Sequence, residues 1–531
     1  MNGNSTNGHA VNGKSNGIHA AEPLTLARIA ARRAEAGKLV AGTAAASDSD
    51  MFKSPHAYTQ PKAKRWDHLL TPEAIARKPC AIKQAAKYLK RPGIVSLGGG
   101  LPSADNFPIE SLSRSQWHDI DITIGKHDIR DHDGVFDLSV ALNYGQPMGS
   151  PQMLRWVTEH TELVSRPPYS DWWCALTIGS TGALESALRM FCDRNRRDAV
   201  LTEEYSFSTA LETITPMGIK VFGVGIDEEG LLPKELDAIL SGWDEEVRGA
   251  RKPTVLYTVP SGQNPTSTTM GLQRRRDVYE VCRKHDVFIF EDEPYYYLQM
   301  PPYDPAKSTG TGAVDGSALS PESPEEFLKS LVPTLLSIDV DGRVLRMDSF
   351  SKVTVPGSRM GWVTGSSQVI ERFIRHNECS SQGPAGISQV LLYKLLDETW
   401  GHEGYLRWLM RLRSEYAGRR DALLDACEKH LPKDLVQWTP PTTGMFLWLR
   451  VDHTRHPSAG KKSILEIEAA IFESCIERGV LVCPGSWFLA GGEDVEPSGL
   501  CFRTTFAAAS HDNMDVAIER FGEAVRAGFG M

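Results

Sequence analysis

Long apolar runs and basic blocks are both missing from this sequence. No stretch of 18 consecutive apolar residues occurs among its 531 residues, so we expect no membrane-spanning helix. The net charge of -9 and the lack of a lysine- or arginine-rich block argue against a general nucleic-acid-binding protein. Cys-x-x-Cys pairs are also missing and the nine cysteines are scattered, which predicts reduced thiols in an intracellular protein. We expect no membrane, nucleic-acid or metal partner.

The length allows two or three domains with a large core. Residues 1–22 repeat Asn-Gly and contain few apolar side chains, so we expect disorder there. A mitochondrial presequence is an alternative, but the first twenty residues contain no arginine and we favour the cytoplasm. The predicted segments are an N-terminal extended segment (1–64), the start of a small domain (65–130), a large domain (131–375) with an insertion at about 301–340, and the rest of the small domain (376–531). We expect residues 301–330, which are rich in Pro, Ser, Gly and Asp, to be a surface excursion.

Short apolar strands alternate with amphipathic helices from about residue 174. This pattern predicts an α/β fold in which crossover helices flank a parallel sheet. One strand ends at Ile178 and leads through Gly179-Ser180-Thr181-Gly182 into a helix. Such a turn presents free backbone N–H groups and the positive end of the helix dipole, which together bind phosphate. It lacks the Gly-x-x-x-x-Gly-Lys string of a nucleoside-triphosphate loop.

Residues 348–362 carry the most informative stretch of the chain. Lys352 follows an apolar strand, and a second cation, Arg359, comes seven residues later. Burial and a neighbouring positive charge both lower the pKa of an ammonium group, so Lys352 can form an imine with an aldehyde. Ser349, Ser351 and Arg359 are suited to holding a phosphate ester beside that imine. An aldehyde with a phosphate describes pyridoxal phosphate; the alternative is a solvated lysine after a serine-rich turn.

A carboxylate and a guanidinium occur where an unpaired charge is costly. Residues 287–290 form an apolar strand with Asp292 at its end, and a half-buried carboxylate there needs a cationic partner such as a protonated pyridine nitrogen. Glu291 and Glu293 are expected to face solvent or structural partners. Arg503 stands among apolar strand residues, where the carboxylate of an amino acid would pair with it in a bidentate way. A structural salt bridge is the alternative for Arg503.

These motifs, in this order over about residues 90–520, resemble the class I and II aminotransferases of fold type I. The matching strings are Ser-x-Ser-Lys followed by Pro-Gly-x-Arg-x-Gly at 349–361, Asn264-Pro265 after a buried strand, and Gly98-Gly99-Gly100 after a short one. The resemblance is strongest to the fungal aromatic and the 2-aminoadipate and kynurenine branch. It implies a large domain with a mostly parallel seven-stranded sheet between helices, and a smaller α+β domain.

The resemblance also implies the cofactor, pyridoxal 5'-phosphate, and the residues of the site. The implied catalytic residues are Lys352, Asp292 and Tyr205. The implied cofactor-binding residues are Ser180, Thr181, Tyr205, Asn264, Asp292, Tyr295, Ser349, Ser351, Lys352, Arg359 and Tyr144. The implied substrate-binding residues are Gly100, Arg503, Tyr144 and Asn264. In this family the tyrosine at 144 reaches the neighbouring subunit's site, which implies a homodimer.

The implied reaction moves the amino group of an aromatic L-amino acid to a 2-oxo acid, with 2-oxoglutarate expected, through an imine of the cofactor on Lys352. 2-Aminoadipate and kynurenine are alternative donors. A decarboxylase or β-eliminating lyase is an alternative reaction, because the ring-binding residues do not select among the fates of the bound amino acid. A regulator that joins a DNA-binding module to an aminotransferase-like domain is disfavoured, since residues 1–93 show no convincing helix-turn-helix pair.

Overall fold

The computed structural model describes residues 31, 34, 35, 88, 91–98, 145–305, 323–492 and 495–531. All elements below belong to the unit formed by residues 71–531. The predictions for residues 1–22 and for Gly100 and Tyr144 lie outside the described residues. The predicted domain boundaries stay predictions.

Fifteen strands lie in the described part of the chain. They are β1 (Val95–Ser96), β2 (Trp172–Thr177), β3 (Ala199–Glu203), β4 (Lys220–Val224), β5 (Ile226–Asp227), β6 (Gly230–Leu231), β7 (Val255–Thr258), β8 (Phe288–Asp292), β9 (Val344–Ser349), β10 (Gly361–Ser366), β11 (Val436–Trp438), β12 (Phe446–Val451), β13 (Val480–Leu481), β14 (Cys483–Pro484) and β15 (Leu500–Thr505).

Twelve α-helices accompany them in the same part. They are α1 (Pro151–Val164), α2 (Ser180–Phe191), α3 (Ser208–Ile214), α4 (Pro233–Ser241), α5 (Glu245–Arg248), α6 (Leu272–Lys284), α7 (Pro324–Ser330), α8 (Ser367–Cys379), α9 (Gly386–Tyr393), α10 (Gly401–His430), α11 (Ile464–Glu477) and α12 (His511–Gly528). None of these helices is long and apolar enough to cross a bilayer.

The central sheet has seven strands in the order β2-β10-β9-β8-β7-β3-β4. Its strands run parallel except β10, which is antiparallel to both β9 and β2. The prediction of a mostly parallel seven-stranded sheet is therefore confirmed. The ends of β8 and β9 lie side by side, with Asp292 opposite Met347, so polar residues that follow these strands meet at one edge.

Successive side chains of a strand point to opposite faces of the sheet. Both faces are buried, because helices pack against each of them. One face packs Leu256 and Ile289 with apolar residues of α4 and α6. The other face packs Val255 and Phe290 with apolar residues of α2. A second, antiparallel sheet has the order β11-β12-β15-β14. In sequence, α10 precedes its strands, α11 lies between β12 and β14, and α12 follows β15.

The described end of the segment 301–330 folds as a helix, α7, with one buried face. A capping box at Ser323 and Glu326 starts α7, and this helix buries Phe327 completely. The guanidinium of Arg413 on α10 lies 4.8 Å from the centre of the Phe327 ring. The helix therefore contributes to the core through Phe327, which packs against α10. Residues 306–322 lie outside the described residues.

Candidate active site

Asp292 ends β8 as a buried carboxylate with one occupied oxygen. Tyr257 on the neighbouring β7 donates a hydrogen bond from its hydroxyl to Oδ2 at 2.9 Å. The other oxygen, Oδ1, is buried and has no hydrogen-bond partner among the described residues. Burial raises the pKa of Asp292 to about 6, and the hydroxyls of Tyr257 and Ser180 oppose that rise. The open oxygen suits a cationic N–H donor.

Glu291 and Glu293 lie on the opposite face of β8, as its pleat requires. Both are buried, with Arg275 Nη1 at 3.5 Å from Glu291 and 3.1 Å from Glu293. Arg346 Nη1 lies 3.4 Å from Glu291. Of the two expected environments, solvent or structural partners, the structure therefore shows structural partners. Burial raises the pKa of Glu293 to about 7.

Lys352 lies in the turn that follows β9. The turn is held by hydrogen bonds from the Ser349 hydroxyl to the Ser351 hydroxyl at 2.9 Å and from the Ser351 N–H to the Ser349 hydroxyl at 3.1 Å. Burial first, and then the positive charges of Arg503 and Arg359, lower the pKa of Lys352 to about 8. The amine is therefore partly uncharged near neutral pH, which a nucleophilic lysine requires.

An anion cradle lies beside this turn, formed by the start of α2, Ser349, Ser351 and Arg359. Arg359 donates from Nη1 to the Ser351 hydroxyl at 3.3 Å and from Nη2 to the Ile178 carbonyl at 3.4 Å. The first turn of α2 contains no acidic residue. The Ser180 hydroxyl is buried without a partner among the described residues, and Thr181 next to it is exposed. The helix dipole, the guanidinium and the hydroxyls all favour a bound phosphate.

Arg503 of β15 is buried and reaches across to the loop after β7. Its Nη1 donates to Asn264 Oδ1 at 2.7 Å, and its Nη2 donates to the Gly98 carbonyl. The rings of Phe446 and Phe488 cover the guanidinium, with centres 4.4 and 4.7 Å from Cζ. No carboxylate within the described ranges forms an ion pair with it, and Nε has no hydrogen-bond partner there. A structural salt bridge, the alternative for Arg503, is thus not seen in this part of the chain.

Two further tyrosines predicted for the site, Tyr295 and Tyr205, are buried. Tyr295 packs edge to face on Phe446 with ring centres 5.6 Å apart, and burial raises the pKa of its phenol. Tyr205 follows β3 and packs against Trp448 with ring centres 5.2 Å apart. The loop that carries Tyr205 is fixed to the segment after β14 by the Ser206 N–H, which donates to the Phe488 carbonyl at 2.7 Å.

The described residues fit pyridoxal phosphate. They offer an unpaired buried oxygen of Asp292 for the ring nitrogen, the buried Asn264 and Tyr295 for the phenolic oxygen, the Lys352 amine for the aldehyde and the anion cradle for the phosphate. The individual roles stay predictions, and Gly100 and Tyr144 lie outside the described residues.

Sequence reasoning missed several residues that shape the site. It did not identify Phe446 and Phe488, whose rings pack against the Arg503 guanidinium, or Tyr257, which donates to Asp292. Sequence reasoning also did not identify Trp408 on α10. Its indole N–H donates at 2.7 Å to the carbonyl of Val353, the residue after Lys352. The sequence signal was weak, because each of these aromatic residues looks like ordinary core.

Known proteins resemble this chain over most of its length. The family model described as aminotransferase class I and II matches residues 173–521. An aromatic amino acid aminotransferase of Schizosaccharomyces pombe is 41% identical over 484 residues, which cover 88% of this chain and 98% of that relative. An L-tyrosine:2-oxoglutarate aminotransferase of Serpula lacrymans is 32% identical over 82% of this chain and 85% of the relative. The crystal structure of an aminotransferase from Candida albicans is 40% identical, with a TM-score of 0.69, and covers 89% of this chain and 100% of its own.

Proposed function

Because the chain belongs to the aminotransferase class I and II family, we propose that it moves the amino group of an aromatic L-amino acid to a 2-oxo acid, with 2-oxoglutarate as the expected acceptor. Pyridoxal phosphate is the cofactor. The observation that carries the proposal is a buried guanidinium, Arg503, with no carboxylate partner in the described part of the chain, beside the partly uncharged amine of Lys352. The names of the relatives support an aromatic donor.

Pyridoxal phosphate, when bound, links covalently to the substrate amine and withdraws electrons from Cα. The residues of this chain supply the rest. Arg503 binds the substrate carboxylate through the N–H groups of its guanidinium, against which Phe446 and Phe488 pack. With the cofactor bound, Lys352 Nζ would take the proton from Cα as general base and deliver it as general acid to the former aldehyde carbon of the cofactor.

The remaining side chains hold the reacting groups in place. With the cofactor bound, Asp292 Oδ1 would accept from the ring nitrogen and keep that nitrogen protonated. Arg359 and the start of α2 hold the phosphate. Phe446, Phe488 and Trp448 are buried or packed against buried residues and exclude water from around the carboxylate site.

Two finer points belong to the same proposal. The protein acts as a homodimer in which Tyr144 reaches the neighbouring subunit's site, and it is located in the cytoplasm. The sequence resemblance supports the homodimer, and the lack of arginine in the first twenty residues supports the cytoplasm.

A donor panel with 2-oxoglutarate tests the proposal. Tyrosine, phenylalanine and tryptophan should each yield glutamate and the matching 2-oxo acid, with kcat/KM about tenfold or more above that for 2-aminoadipate or kynurenine, a preference of about 1.4 kcal/mol. An Arg503→Gln variant should raise KM for donor and acceptor alike, since both carry a carboxylate. Release of carbon dioxide or ammonia in place of glutamate would show a decarboxylase or a lyase instead.

A further inference from the structure

Tyr257 is a fully buried tyrosine whose hydroxyl contacts the acceptor for the ring nitrogen. Strands β7 and β8 pair in parallel with Tyr257 opposite Phe290. Side chains two residues apart share a face of a strand, so Tyr257, Phe290 and Asp292 lie on the same face. This register brings the phenol hydroxyl to 2.9 Å from Asp292 Oδ2.

The hydrogen bond makes the two oxygens of Asp292 unequal. Oδ2 is occupied by Tyr257, whereas Oδ1 is buried without a hydrogen-bond partner among the described residues. A carboxylate without such a bond can rotate about its Cβ–Cγ bond and present either oxygen. The Tyr257 hydroxyl therefore fixes the rotation and leaves Oδ1 as the oxygen that meets a ligand.

The proton of this bond stays on the tyrosine. Burial and the charges of Asp292 and Glu203 raise the pKa of Tyr257 well above its ordinary value, so Tyr257 donates at any working pH. Donation to the charged form of a carboxylate lowers its pKa. Three other groups act on Asp292: the Ser180 hydroxyl lowers its pKa, Asp348 on β9 raises it and Arg346 on β9 lowers it.

We propose that Tyr257 is a positioning residue for the cofactor: it turns Asp292 so that Oδ1 faces the ring nitrogen and keeps that carboxylate ionised to hold the nitrogen's proton. The inference rests on the proposed function, in which pyridoxal phosphate binds here. The Tyr257 hydroxyl donates to Asp292 and acts on the cofactor through that carboxylate.

Tyr257→Phe removes the hydroxyl and keeps the ring. The dissociation constant of pyridoxal phosphate should rise about tenfold, and kcat should fall about tenfold or more while KM for the donor changes less than about twofold. The visible band of the bound cofactor reports protonation of the imine nitrogen formed with Lys352. The midpoint of its pH titration should move to higher pH, because a ring nitrogen that is less often protonated repels the proton on the imine nitrogen less. Purely structural damage would not produce that spectral shift.

Tyr279→Phe is the matched control. Its hydroxyl also donates to a buried carboxylate, Asp339 Oδ1, at 3.0 Å, but on α6 away from the site. It should cost similar stability and leave cofactor affinity and the spectral midpoint unchanged. An equal shift in both variants, or none in Tyr257→Phe, overturns the inference.

A second substitution covers the case in which Tyr257→Phe does not fold. Replacing Tyr257 by 3-fluorotyrosine keeps the shape and makes the hydroxyl a stronger donor, so the midpoint should move to lower pH. An unchanged midpoint contradicts the inference. Failure of the wild-type protein to bind pyridoxal phosphate would instead refute the proposed function.

Discussion

Lys352 shows how a single side chain acquires its chemistry from its surroundings. The side chain is half-buried, and two guanidinium groups, Arg503 and Arg359, add positive charge nearby. Burial and both charges favour the neutral amine, and together they lower the pKa from 10.5 to about 8. At pH 7 a fraction of about a tenth is then uncharged, against well under a thousandth for an ordinary lysine.

This lowered pKa predicts the pH dependence of cofactor capture. The rate at which cofactor-free protein captures pyridoxal phosphate should rise about tenfold per pH unit below the pKa and level off above it, at a pH of about 8. Stopped-flow absorbance over pH 6 to 10 measures it, a window chosen to span the ordinary lysine value. Arg503→Gln removes one positive charge and should move the levelling point to higher pH. A rate that keeps rising up to pH 10 would mean an ordinary lysine.

Individual residues were predictable where their chemistry depends on their own strand. Asp292 and Arg503 stand out as charges beside apolar neighbours, and the structure buries both. The partner of Asp292 was not predictable, because Tyr257 lies 35 residues away in sequence and meets it only through the register of two strands. The same applies to Phe446 and Phe488, which come from different segments to cover one guanidinium.

At the scale of elements, the start of α2 decides how an anion is held. Gly179 precedes the helix with φ 92° and ψ 166°, a backbone region that is nearly restricted to glycine. A Cβ atom there would lie 2.7 Å from Arg359 Nη2. The glycine therefore permits both the turn and the close approach of the guanidinium.

Gly179→Ala should weaken cofactor binding by about tenfold or more, because backbone strain of about 1–3 kcal/mol and a displaced Arg359 both disturb the cradle. Fluorescence titration of cofactor-free protein with pyridoxal phosphate measures the dissociation constant. Gly271→Ala is the control: Gly271 precedes α6 with φ -66°, and its added Cβ would meet nothing within 4 Å. Equal affinities in the two variants would contradict this role of Gly179.

Element positions were largely predictable, and their arrangement was less so. The strand predicted to end at Ile178 appears as β2, which ends at Thr177, and the strand predicted at 287–290 appears as β8 with shifted ends. The antiparallel direction of β10 was not predicted, since an apolar run does not carry its own direction. The burial of α7 was missed because the composition of residues 301–330 concealed one core residue, Phe327.

At the scale of the whole molecule, the site combines residues of two sheets. Asp292 is the last residue of β8 in the central sheet. Arg503 belongs to the second sheet and donates a hydrogen bond to Asn264, in the loop after β7. If the resemblance holds for Tyr144, the site also takes a residue from a second subunit. Neither arrangement can be read from one chain's local sequence.

Subunit complementation tests the proposed homodimer. Tyr144→Phe and Lys352→Ala variants should each lose most activity alone. When the two variants are coexpressed, hybrid dimers form and can be purified through two different tags. If Tyr144 acts in the neighbouring subunit, each hybrid has one site with both natural residues. The hybrids should then regain about half the wild-type activity per dimer, because intact sites add independently. If the hybrid is as inactive as its parents, Tyr144 does not act across subunits.

The central claim is that Lys352 is the amine that binds pyridoxal phosphate. Borohydride converts an imine to a stable amine, so reduction of the holoprotein, proteolysis and mass spectrometry locate the attached cofactor. We predict a phosphopyridoxyl group on the peptide that contains Lys352 and its loss in Lys352→Ala. A label on another lysine, or on no lysine at all, would contradict the account.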